Sequence, residues 1–354
     1  MRRLVAAAAS AGALMAGALI AAPAQAQTTV SGGGASFPFV FVQACQTGYN
    51  ASQPTYVMQY TSTGSGTGKR NFTNGTFRFA STDSAFSATE TRPTFNWTYV
   101  PFLGGGVTIP VNLKGTAGKP IGGALQIKQS TLAKIFGGQI TTWNDPEIVS
   151  QNSKIKKLIP ATPITIVYRS DNSGTTNNFL QYLNAWQPTI FTKVQDGMAS
   201  AFPGGNPPTN SIAGAQNQGV MAAVAGKDGA IGYVDLGDAI KAKATVAAIQ
   251  NGLGEFVKPT SASMALNLAE QTKVNAQGLV QLDYFVKAKG AYPLSIFTYY
   301  LGRVGGATAG DTASRAFLEY MLNTCAPAQA SGLGFVPLQG KILASAKTLG
   351  AKIG

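Results

Sequence analysis

Three times in this chain a strand-like run ends in glycines and small hydroxyl residues, and twice it passes on into a helix-patterned segment. The three stretches are GGGASFP (Gly32 to Pro38), a glycine loop whose Ser36 opens a helix, TGSGTG, a loop after the strand TYVMQYT, and RSDNSGTT (Arg169 to Thr176), which joins the strand ITIVYR to a helix. This recurrence constrains the fold more than any other feature. Short strands alternating with helices build α/β architecture. Each strand-to-helix passage also leaves backbone N–H groups without an intrahelical partner, aligned with a dipole that favours negative charge. Three glycine-rich strand ends on one chain, beside Arg169, point to an anion site.

The rest of the pattern agrees with α/β. FRFAST, GVTIPVNL, AIGYVDL and SIFTYYL read as further strands. FPFVFVQACQTGYN carries Phe37, Phe41, Ala44 and Cys45 at helical spacing. STLAKIFGG reads as a helix with Ser130 as its N-cap and Gly137 near its C-cap, and NSGTTNNFLQYLNAW as a helix opening near Gly174. DTASRAFLEYMLNTC places Phe317, Tyr320, Met321 and Thr324 on one face, and KILASAKTLGAKIG reads as an amphipathic terminal helix. Trp97, Trp143 and Trp186 read as packing residues.

Residues 1–26 combine a basic MRR start, an apolar run and a small-residue AQA ending at Ala26, the signature of a secretory signal peptide. No cysteine lies near that cleavage site to take a lipid anchor, and no later segment is long and apolar enough to span a membrane. The expected mature chain starts near Gln27 and is soluble outside the cytoplasm. Its roughly 328 residues exceed what one core usually supports, so two lobes are expected. The mature net charge of +11 favours anionic partners by steering. The basic residues are scattered rather than clustered with aromatics, which argues against nucleic acid.

Cys45 and Cys325 form the one cysteine pair. In an exported chain an even pair suggests a disulfide, here joining helices near the two ends. Two buried thiols are the alternative, because bridge geometry is not written in sequence.

Enzymatic tools are few. The absence of histidine excludes Ser-His-Asp triads and HExxH zinc sites, and there is no G-x-S-x-G elbow. Two cysteines are too few for a structural zinc site, and no metal or cofactor is expected. A P-loop fails on spacing, since Thr63 stands where its first glycine belongs and Arg70 where its magnesium-binding hydroxyl belongs.

The ordered set GGGASFP, TSTGSGTGKR, FRFASTDSAFS, GGGVTIPVNL, IFGGQITTWNDPEI, VYRSDNSGTTNNFLQYL and GAIGYVDLGDA resembles the periplasmic phosphate-binding proteins of ABC transporters. The resemblance runs from about Ser31 to Ala239, with YPLSIFTYYL extending it, and is loose between Asn251 and Gly290. It implies a two-lobed type II periplasmic binding protein with inorganic phosphate held between the lobes. Lobe one would comprise 27–108 and 293–354, and lobe two 109–292. The implied phosphate-binding residues are Ser36, Phe37, Ser65, Asp83, Arg169, Ser173, Gly174 and Thr175, with Asp171 orienting the arginine. Gly66 and Thr67 stand where members often show Ser-Gly or Gly-Gly, and Lys69 is outside the pattern.

The chemistry is consistent with those roles. A dehydrated phosphate needs many donors, and a buried carboxylate beside it makes sense only if the ligand brings a proton. Read without the resemblance, Asp83 is also a plausible turn residue or cap, and Arg169 half of a surface ion pair. The expected function is an extracytoplasmic, monomeric phosphate receptor that delivers its ligand to a membrane ABC permease. Alternatives are a same-fold binder of sulfate or molybdate, or a secreted phosphatase.

Overall fold

The computed structural model describes residues 27–53, 55–306 and 308–354, and the expected signal peptide (1–26) lies outside them. Among the described residues, thirteen strands form three sheets.

The chain opens with β1 (Thr28–Gly34), α1 (Phe39–Ser52), β2 (Tyr56–Ser62), α2 (Ser65–Thr73) and β3 (Phe79–Thr82), followed by the long β4 (Trp97–Thr108). β5 (Val111–Asn112), β6 (Gln126–Ile127), α3 (Gln129–Phe136), α4 (Pro146–Gln151), β7 (Thr165–Arg169) and α5 (Gly174–Trp186) come next. Then follow β8 (Ser211–Gly214), α6 (Gln216–Gly226), β9 (Ala230–Ile231), β10 (Val234–Asp235), α7 (Leu236–Lys241), β11 (Ala248–Gln250), β12 (Phe256–Val257) and α8 (Ser261–Ala269). The last elements are β13 (Ser295–Arg303), α9 (Ala309–Tyr320), α10 (Ala326–Gln329) and α11 (Gly340–Gly350).

One lobe is built on a six-stranded sheet of order β10-β4-β13-β3-β1-β2, parallel where β1 joins β2 and β3 and antiparallel elsewhere. The other carries a four-stranded sheet, β5-β9-β7-β8, and a three-stranded sheet, β12-β11-β6. β4 and β13 are buried along almost their whole length, which fits apolar runs covered on both faces. The six-stranded sheet also recruits residues from inside 109–292: β10 pairs with β4, and α8 packs on β4 and β13. AIGYVDL is therefore not one strand but two. β9 pairs within the second lobe and β10 within the first, with Gly232 and Tyr233 as the crossing.

Other local expectations also shift. TGSGTG is not a loop past Gly64, since α2 starts at Ser65. Gly64 holds φ +82, a conformation only glycine adopts readily, and a Cβ there would strike the Asp171 carboxylate. GGGASFP enters its helix later than expected, at Phe39, because Ser36 to Pro38 form a turn closed by Phe39 N–H on the Ser36 carbonyl at 3.2 Å. Ser130 does not cap α3. The helix begins two residues earlier, at Gln129 with Lys128 in the N-cap position, where the buried Gln129 is held by its amide on the carbonyls of Gln250 and Asn251.

The helix after Thr308 departs from its expected face for a definite reason. Phe317 and Met321 are buried as the spacing predicts, but Thr324 is exposed and Cys325 buried. Residues Met321–Cys325 form a π-helical turn, which inserts one residue into the repeat and moves the buried face from 324 to 325. That turn aims Cys325 at Cys45 on α1. The two form a disulfide with Cα atoms 5.7 Å apart, across 280 positions of sequence.

Candidate functional site

The site lies where the amino ends of α2, α5 and α6 meet the turn after β1 and the end of β3. Ser36, Phe37, Ser65, Asp83, Arg169, Ser173, Gly174 and Thr175 are all buried. They come from both lobes, and they are brought together. Gly174 shows how closely: a Cβ there would lie 2.7 Å from both the Ser65 Oγ and the Asp83 Cβ. No larger residue fits, so a glycine at this point lets α5 dock against the opposite lobe.

Ser65 Oγ accepts the Asp83 N–H at 3.3 Å. Ser173 caps α5 by accepting the Thr176 N–H, which leaves the N–H groups of Gly174 and Thr175, in the first turn, without intrahelical acceptors. The Phe37 side chain is wholly buried, edge-on to Phe335 at 5.9 Å, so only its backbone is available for binding.

Asp83 follows the end of β3 and is 4% exposed. Thr298 of β13 donates to its Oδ1 at 2.7 Å, and Thr175 lies 3.4 Å from its Oδ2. Burial pushes the Asp83 carboxyl up to about 7, against the opposing pull of the Thr298 hydroxyl and the Arg169 charge. It is therefore a carboxyl that can hold or release a proton near neutral pH.

Arg169 ends β7 and is 1% exposed. Its Nε and Nη2 donate to the two oxygens of Asp171, at 2.8 and 2.5 Å, and its Nη1 donates to Asn217 Oδ1 at 2.6 Å. Burial works against the Asp171 carboxylate, but the hydrogen bonds and charge of Arg169, with the Gln216 N–H, outweigh it and hold the group below its usual range. A guanidinium has five N–H bonds. These contacts use three, leaving one on each terminal nitrogen, which is the set a tetrahedral oxyanion takes as a two-pronged grip.

The arrangement supplies neutral donors, one cation and one proton-exchanging carboxyl. Among the described residues no group of histidine, cysteine and carboxylate side chains is placed to hold a metal ion.

Reasoning from sequence did not identify four neighbours. Asn217 and Thr298 are ordinary polar residues with no local signal, 48 and 215 positions from the groups they touch. The buried Lys69 and the partly buried Asp196 form an ion pair at 2.9 Å beside the site. The Ser173 N–H also donates to the Asp196 carbonyl at 2.9 Å.

A family model for the PBP superfamily domain matches residues 20–324. The phosphate-binding protein PstS of Xylella fastidiosa (strain Temecula1) is 33% identical over 272 residues, which covers 77% of this chain and 71% of that protein. PstS 2 of Mycobacterium tuberculosis is 31% identical over 299 residues, covering 80% and 74%. Among solved structures, a high-affinity periplasmic phosphate-binding protein (PfluDING) bound with phosphate superposes with a TM-score of 0.69 at 25% identity, over 91% of this chain and 93% of that one. The phosphate-binding protein of Stenotrophomonas maltophilia shares the fold, with a TM-score of 0.67 at 22% identity over 92% and 93%.

Proposed function

This chain belongs to the PBP superfamily and, within it, to the PstS family of phosphate-binding proteins, and we propose that it binds inorganic phosphate between its lobes and delivers it to a membrane ABC importer. The observation that carries the reading is the pairing of Arg169 with Asp83 in one sealed site. Arg169 keeps two N–H bonds for an oxyanion, and Asp83 is a buried carboxyl balanced near neutral pH. Ser36, Ser65, Ser173 and Thr175 add hydroxyls, and the amides of Phe37, Gly174 and Thr175 add N–H donors. Asp171 orients the arginine.

The selection principle follows from protonation. Phosphate near pH 7 carries at least one proton, which it can donate to Asp83 while its other oxygens accept. Sulfate has the same shape and no proton. It would face the carboxylate with lone pairs only, or demand that Asp83 take up a proton from water. A site built to hydrogen-bond a ligand group can reject the analogue lacking it by about 10⁴–10⁵. The sulfate and molybdate alternatives lose on this ground, and a phosphatase lacks a placed nucleophile and base.

The lobes in this proposal are the six-stranded sheet with its helices and the pair of smaller sheets. The chain crossings near Thr108, at Gly232 and Tyr233, and on either side of the β11–β12 segment serve as the hinge, and the 27–108, 109–292 and 293–354 division gives up β10, α7 and α8 to the first lobe. Hinged closure of this kind is a general device of binding proteins with two lobes. The protein works as a monomer in the periplasm. Calorimetric titration of ligand-stripped protein with phosphate and with sulfate at fixed salt tests the reading. Tight phosphate binding and negligible sulfate heat are expected. A preference for sulfate overturns it, and an unchanged phosphate-to-sulfate ratio in Asp83→Asn removes the carboxyl from the selection.

A further inference from the structure

The amino end of α6 bridges the two lobes beside the arginine. Its first residue, Gln216, holds φ +58, where a non-glycine residue is uncommon. That backbone is pinned from both lobes. Its N–H donates to Asp171 Oδ1 at 2.9 Å. Its side-chain amide brackets Ser62 of β2, accepting from the hydroxyl at 2.8 Å and donating to the carbonyl at 2.9 Å. The next residue, Asn217, has no exposed surface. Its Nδ2 donates to Asp235 Oδ2 at 2.7 Å, its Oδ1 accepts from Arg169 Nη1 at 2.6 Å, and its N–H lies 3.3 Å from Ser36 Oγ in the other lobe.

These partners determine the amide's direction. Turned over, Asn217 would present its NH₂ to the guanidinium, donor against donor. Asp235 is itself anchored, because its Oδ1 accepts the Asp238 N–H at 2.8 Å as the cap of α7.

We propose that Asn217 is the positioning residue of the phosphate site. Asp171 grips one edge of Arg169 and Asn217 the far nitrogen, so that the two remaining N–H bonds present a single fixed geometry to the ligand. The same residue joins that grip to closure, since its N–H reaches Ser36 only when the lobes are together. Asp171 alone would leave the Nη1 end without a partner in the protein. The proposal rests on the phosphate reading and goes beyond it by naming how the arginine is set.

A double-mutant cycle tests it. Phosphate affinity is measured by calorimetry for the wild type, Asn217→Ala, Arg169→Lys and the double variant, with the unfolding midpoint of each taken in the absence of phosphate. Asn217→Ala is expected to weaken phosphate roughly tenfold to a hundredfold, the range for losing a hydrogen bond to a charged group. In the Arg169→Lys background, which has no guanidinium to hold, the same substitution is expected to cost less than about threefold. Equal losses in both backgrounds, or unchanged affinity in Asn217→Ala, overturn the proposal. Should Asn217→Ala not fold, Asn217→Ser takes its place in the cycle, and the same outcomes support or overturn the proposal. A wild type that binds no phosphate defeats the functional reading itself, which the first titration shows before any variant is compared.

Discussion

Two buried cations stand on either side of the cleft, and their surroundings differ. Lys69 is 1% exposed and ends among acceptors: Glu90 at 2.7 Å, Asp196 at 2.9 Å, the Ala85 carbonyl at 3.0 Å and Ser84 Oγ at 3.4 Å. An ammonium has three N–H bonds, so none is left, and two carboxylates more than match its charge. Arg169 is equally buried but has one carboxylate, one neutral amide and two N–H bonds to spare. Burial therefore does not mark a ligand-binding cation; unspent hydrogen-bonding capacity does. Lys69, which follows a glycine-rich stretch much as a P-loop lysine does, fastens α2 to the opposite lobe. Arg169 is the cation whose donors are not all spent within the protein.

The comparison breaks most directly at Arg169. Arg169→Ala is expected to weaken phosphate binding by about 2–5 kcal/mol, the range for truncating one partner of a buried charged pair. Arg169→Lys should recover only part, since a point charge cannot make the two-pronged contact. Calorimetry showing near-wild-type affinity in the alanine variant would place the arginine outside the site.

Asp83 gives the next effect, on stability rather than binding. Its folded pKa, about 7, stands above the ordinary 3.8, so between these values the folded state keeps a proton that the unfolded chain has released. The cost is absent below about pH 4 and complete above about pH 7, so phosphate-free stability falls through that window, by about 4 kcal/mol from this group. Denaturant unfolding of wild type and Asp83→Asn at about pH 4.5 and about pH 7.5, on either side of most of that window, checks it. The wild type is expected to lose stability relative to the variant as pH rises, and parallel curves would refute the assignment.

Lys69→Met sharpens the contrast by reversing the readout. Removing one partner of a buried pair costs about 3 kcal/mol here, toward the lower end because Glu90 is 30% exposed. Urea unfolding should show that loss, whereas the intrinsic contacts to phosphate persist. A variant with normal stability and no phosphate binding would make Lys69 a ligand residue after all. Glu90→Gln is the mildest test, expected to shift stability by about 1 kcal/mol or less because water already screens that carboxylate; a larger shift would mean that Asp196 alone does not hold the lysine.

Much of this was legible in the chain. The passage from β7 into α5, the hydroxyl residues of the three glycine-rich stretches and the positions of Asp83, Arg169 and Asp171 follow from local pattern and from the family's motifs. The errors fell where packing outweighs local signal: Ser130 lies inside α3, which starts at Gln129 with its distant amide contacts, and a π-turn exchanged Thr324 for Cys325.

Sequence alone therefore located the free donors at the start of α5, because the orphan N–H groups of a helix end depend on the few residues that start it. Tertiary structure alone decided which cation stays available. Lys69 is neutralised by carboxylates 21 and 127 positions away, while Arg169 is held by an amide 48 positions away that adds no charge. Electrostatic compensation acts through space over a few ångströms, and folding decides which distant residues come within that range.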